Sequence, residues 1–132
     1  MKSKAKLNKI KAKKNTQPAV PAEWLYMTER EITVKDIAAS FDSEEMMEIW
    51  EEVGVAEVIL SEKASMDMEL TENDLGDEES NRFLQEHQVN TLFLVTIPPQ
   101  EYETARASML KIMEKNGGFF CGDTEDFMPM VK

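Results

Sequence analysis

Apolar and polar positions change period several times along this chain, and each change predicts an element. "EITVKDI" alternates Ile32 and Val34, with Ile37 just beyond, and is β-branched, which predicts a strand. "FDSEEMMEIWEEVG" follows, with Met46, Met47, Ile49, Trp50 and Val53 at helical spacing. Asp42 with Glu45 three residues on resembles a capping box, and Gly54 supplies a stop, so a helix is predicted over 42–53. "VAEVILSE" reads as a strand. "SMDMELTE" alternates cleanly, Met66, Met68 and Leu70 against Asp67 and Glu69, as a strand with one wet face does. A hairpin around Lys63 and Ala64 would join the two.

Farther on, "DEESNRFLQEHQV" carries Phe83, Leu84 and His87 in helical register, with Asp77 as cap, which predicts a short helix. "NTLFLVTI" is nearly continuous in apolar residues and fits a central strand. "PPQEYETARASMLKIMEKNGG" predicts the longest helix. Tyr102, Ala105, Met109, Ile112 and Met113 form its stripe, Glu101 and Glu103 lie near its start, and Lys111 and Lys115 near its end. "GFFC" opens a last strand, and Pro129 argues for an edge. This succession predicts an α+β fold, a two-layer sandwich of a mainly antiparallel sheet with helices on one face. Its type is ferredoxin-like, βαββαβ with an extra short helix.

Charge divides the 132 residues unevenly. Residues 1–16 hold seven lysines and no acid, while residues 17–132 carry a net charge of −18. Residues 1–22 read as a disordered basic arm and Pro-containing linker, and 23–132 as one acidic domain that opens on the apolar cluster Trp24, Leu25, Tyr26 and Met27. The acidic body repels nucleic acid, but Lys9, Lys11, Lys13 and Lys14 are candidate contacts to RNA. The longest apolar run, 91–97, is far short of a membrane span, no signal peptide is expected, and one cysteine forms no internal disulfide. These features favour the cytoplasm and no membrane contact.

The candidate chemistry is sparse. Gly117, Gly118 and Gly122 follow a helix and open a strand, the reverse of a phosphate loop, so a helix stop at Gly117 and a turn at Gly122 are expected. Cys121 neighbours Asp123, Glu125 and Asp126, which disfavour its thiolate, and a structural strand residue is expected, less important than Gly117. One cysteine and one histidine cannot build a several-ligand zinc site, so no catalytic residue, metal or cofactor is expected. Asp67 and Glu69 read as the wet side of a sheet. Met128 and Met130, with Asp123, Glu125 and Asp126, are the candidate partner-binding residues, since methionine-rich surface adapts to partners.

"KIMEKNGG" followed by "FFCGDT" resembles the C-terminal signature of the regulator of ribonuclease E activity B family. Gly117, Gly118, Gly122 and Thr124 fit the signature, and Phe120 replaces a tyrosine. Cys121 and Asp123 stand where the family has aspartate and tryptophan. The resemblance covers about 35 residues and implies a ferredoxin-like, non-catalytic protein that restrains an RNA-processing enzyme. The expected function is therefore a small interaction or regulatory protein whose acidic domain binds a protein partner with a basic surface. An RNA- or ribosome-associated protein anchored by the lysine arm is the alternative. A ligand binder or enzyme with a site not visible in the sequence comes third. Oligomeric state stays open.

Overall fold

A computed structural model describes residues 20–42 and 47–132. The apolar run at the start of the domain forms strand β1 (Glu23–Thr28). Helix α1 (Val34–Ala38), β2 (Met47–Trp50), β3 (Val55–Ser61) and β4 (Ala64–Thr71) follow. The chain continues through α2 (Glu78–Glu86), β5 (Thr91–Thr96), α3 (Tyr102–Asn116), β6 (Phe119–Gly122) and β7 (Met130–Val131). All seven strands join one sheet in the order β2-β3-β4-β5-β1-β6-β7, antiparallel at every pairing. The expected central place of "TLFLVT" is borne out, since β5 has three strands on either side. The β3–β4 hairpin also turns as expected, with Ser61 opposite Ala64.

Two elements differ from expectation. "EITVKDI" is not a strand but contains α1. Thr33 Oγ1 accepts from Lys35 N at 3.2 Å, and Asp36 Oδ2 accepts from Thr33 N at 2.9 Å, forming a capping box. Val34 and Ile37, three residues apart, then bury one helix face. "MEIW" is not helical but forms β2, with Met47 buried opposite Val58. Only Glu51–Val53 after it makes a 3₁₀ turn, which ends on Gly54 in the left-handed region. The Glu45 and Met46 parts of that prediction lie outside the described residues.

The helices occupy both faces, not one. Trp24, Tyr26, Phe93 and Phe120 point to the face covered by α1 and α3, where they meet Ile37, Met109 and Ile112. Leu25, Met27, Leu92 and Cys121 point the opposite way, beneath Leu84 of α2. This alternation within β1 explains its unbroken apolar sequence, because both of its faces are covered. Full burial of side chains of this size contributes roughly 1.5–3 kcal/mol each.

The end of α3 is tied to β1 through its own last carbonyls, which a helix leaves without internal partners. Tyr26 Oη donates to Gly117 O, Thr28 Oγ1 to Asn116 O at 2.9 Å, and Arg30 Nη1 to Lys115 O at 2.9 Å. Burial around Tyr26 pushes its phenol up to about 12, so the donor proton stays in place across the physiological range. Residues 20–22 belong to the fold as well. Val20 packs against the α1/α3 side, Trp24 Nε1 donates to Pro21 O at 2.7 Å, and Ile97 N donates to Ala22 O at 2.8 Å.

Candidate functional site

Antiparallel pairing aligns side chains into rows that run across a sheet, and the members of one row share a face. On the face that α2 partly covers, three successive rows differ in chemistry. Thr71, Leu92, Met27 and Phe119 make the first, and Leu92 and Met27 lie beneath α2. Trp50, Val55, Glu69, Leu94, Leu25 and Cys121 make the second. Glu48, Glu57, Asp67, Thr96 and Glu23 make the third, and Asp123 extends it by donating its N–H to Glu23 O at 3.0 Å.

The second row shows where the cover ends. Leu25 and Cys121 are 0% exposed, whereas Leu94 is 39% and Trp50 45% exposed. Between β1 and β5 the sheet passes from covered to open. Trp50, Val53, Val55 and Leu94 floor a shallow hollow of about 580 Å³, and Glu23, Glu57, Asp67 and Asp123 line it. An aromatic side chain left open on a sheet face beside aliphatic ones is an unsatisfied apolar surface.

Electrostatically this face has one sign. Across neighbouring strands Glu48 stands opposite Glu57, and Glu57 opposite Asp67, pairings that repel. Among the described residues none of the row's carboxylates forms an ion pair, and Asp67 has only the hydroxyl of Ser65, at 2.9 Å. Crowding that strips water from Asp123, with the neighbouring Glu23 charge second, holds its carboxyl above the ordinary aspartate range. Among the described residues no three His, Cys, Asp or Glu side chains converge to hold a metal ion. The carboxylates are strung out across strands, a geometry suited to an extended cation rather than a compact one.

The predicted partner-binding residues separate. Asp123 lines the hollow. Glu125 and Asp126 lie on the turn before β7, where Thr124 Oγ1 donates to Asp126 Oδ1 at 2.9 Å and accepts from Met128 N at 3.0 Å. Met130 packs on the cluster under α2, and Met128 is 51% exposed on the turn. Lys9, Lys11, Lys13 and Lys14 lie outside the described residues. Gly122 is not a turn residue but the last of β6, where Met128 O approaches too closely to admit a Cβ. Burial, then the Asp123 charge, pushes the Cys121 thiol up to about 12. The His87 ring lies tilted against Phe83, centroids 4.2 Å apart, and among the described residues no hydrogen bond joins it to Cys121.

Trp50, Glu23, Glu48 and Glu57 were not among the sequence candidates. Their signal was present in "VAEV", where Val55 and Glu57 alternate with buried Ala56 and Val58. The row itself needed strand order and register. A second hollow of about 410 Å³, between Asn73 and α2, is framed by amides already engaged, Asn73 Nδ2 with Val89 O and Asn81 Nδ2 with Asp74 Oδ1. Among the described residues no helix is long and apolar enough to cross a membrane. No family model, curated protein or solved structure matches this chain.

Proposed function

We propose that this is a non-catalytic, cytoplasmic interaction protein whose open sheet face binds a basic, partly apolar segment of a protein partner. The observation that carries the reading is the juxtaposition of two rows. A row of carboxylates that form no ion pair among the described residues runs beside a floor of exposed Trp50 and Leu94 and half-buried Val55. Cations placed along the acid row would relieve repulsion, and aliphatic side chains between them would cover the tryptophan. We further propose a ferredoxin-like reading of β1, α1, β4, β5, α3 and β6 as the βαββαβ succession, with β2 and β3 inserted after α1 and α2 inserted before β5. Support comes from α1 and α3 sharing a face. That reading agrees with the resemblance to regulators of ribonuclease E activity.

The test uses the full chain and a fluorescein-labelled peptide of alternating Lys and Val, read by anisotropy at physiological ionic strength. Binding should weaken about tenfold in Glu57→Gln/Asp67→Asn, the loss of two exposed ion pairs, and should weaken likewise in Trp50→Ala. Unchanged affinity in both variants would overturn the reading. So would a chain that ignores the peptide yet retains a labelled oligouridine through its lysines, the outcome expected of an RNA-anchored protein.

A further inference from the structure

The open face has a candidate occupant within the chain itself. We propose that the lysine-rich segment 2–14 is an intramolecular ligand of the acid row, docking there in cis so that a partner must displace it. The inference rests on the same face as the proposed function and adds its regulation.

Charge complementarity is the first support. The segment carries seven lysines without an acid, and the row offers Glu48, Glu57, Asp67, Glu23 and Asp123 without an ion pair among the described residues. Elsewhere on the described surface the recorded ion pair is Lys35 with Glu51, at 3.5 Å. Among the described residues the row is therefore a field of one sign without an ion pair, and the segment is the chain's largest field of the other.

The tether supplies the second support. Glu23, a member of the row, is three residues from Val20, and the Pro21 and Ala22 carbonyls are pinned to Trp24 and Ile97. Any docking of the arm therefore starts from the end of the sheet where the row lies. Lys14 lies six residues before Val20, a span of at most roughly 20 Å. Crossing from β1 to β3 takes three strand spacings, about 14 Å. Val20 packs toward the α1/α3 side, so the arm must first round the end of the sheet. The remaining roughly 6 Å of chain, with the length of a lysine side chain, lets Lys13 and Lys14 approach Glu57.

Spacing is the third support. Lys9, Lys11 and Lys13 recur at every second residue, and a drawn-out chain carries them over roughly 13 Å. Glu57, Asp67 and Glu23 spread over about the same length. Leu7 and Ile10 add the apolar side chains that the Trp50 floor can accept. A short tether presents such a segment at millimolar effective concentration, so even a weak electrostatic contact is populated, and salt releases it.

Paramagnetic broadening on the full chain tests this. Asn8→Cys accepts a nitroxide, while Cys121 is buried. At about 20 mM salt, the amide signals of Glu57, Asp67 and Thr96 should be lost, and those of Glu103 and Arg106 on α3 retained. Salt at about 500 mM, or Glu57→Gln/Asp67→Asn, should restore them. Row signals intact at low salt, or equal broadening in the double variant, would overturn the proposal. Broadening of an unlabelled chain mixed with spin-labelled chain would overturn docking in cis and assign the contact to a second copy. A variant with the seven arm lysines changed to Gln should bind the Lys–Val peptide about tenfold more tightly than the parent. Peptide binding without broadening would sink the cis contact and keep the partner reading. Broadening without peptide binding in the neutral-arm variant would do the reverse.

Discussion

Gly118 shows how much a single missing Cβ can decide. Its φ is +75°, and an added Cβ would overlap the Met27 carbonyl oxygen and come within 2.9 Å of Thr28 Cα. The neighbouring Gly117 also has a positive φ, +73°, but a Cβ there would meet nothing closer than 3.9 Å. The sequence points to Gly117, because it follows the last apolar residue of the helix stripe. The structure shifts the weight one residue on, because there α3 turns back against β1 and the two backbones touch. Gly117→Ala should cost about 1–2 kcal/mol for its backbone alone, whose φ of 73° with ψ of −161° suits glycine and little else. Gly118→Ala should cost roughly 2–4 kcal/mol, since the backbone of β1 must also move. Urea titrations of the two variants beside the parent check the order, and equal losses would mean that the close approach relaxes freely.

Among the elements, α1 is the shortest helix and relies on its cap. Five residues form too few internal hydrogen bonds to persist alone, so the Thr33–Asp36 box and the buried Val34 and Ile37 must hold it. Thr33→Ala should lower stability by about 1 kcal/mol, read as a shift in urea midpoint without a change in slope. A neutral result would show that the two buried side chains suffice. The same element shows where the sequence was legible and where it was not. Thr33 and Asp36 form a T-x-x-D box in plain view, but Ile32 and Val34 also satisfy a two-residue period, and over seven residues both templates fit. Met47 and Ile49 failed in the opposite direction, two apart and near enough to Met46 and Trp50 to imitate a helix stripe. Longer patterns spoke clearly: α3, β4 and β5 stand where their periods predicted, because each repeats over enough residues to exclude the other geometry. The site was legible only in part. Asp67 and Glu69 were placed on a wet face, and Asp123 among the candidates, but nothing local joins Glu48 to Glu23. That link exists only once β5 and β1 lie between β4 and β6, a non-local fact of pairing.

For the molecule as a whole, the acid row should act as a stability cost that its lysine arm offsets. Like charges directly opposite on neighbouring strands destabilise a sheet, and Glu57 faces Glu48 on one side and Asp67 on the other. Replacing Glu57 by Gln and Asp67 by Asn keeps the shape and the acceptor for Ser65 but removes two charges. At low salt this pair of changes should raise stability by about 0.2–1 kcal/mol. The gain should be larger in the chain whose seven arm lysines are Gln, because docking in cis would already neutralise part of the row in the parent. Row and arm thus form a double-mutant cycle, and their coupling should shrink as salt shortens the Debye length. The cycle is read from urea midpoints of the four chains at low and high salt. Equal gains in both arm backgrounds would separate the arm from the row. A loss of stability on neutralising the row would show that its carboxylates are held by partners rather than left in repulsion, and the open face would then lose its electrostatic reason to bind.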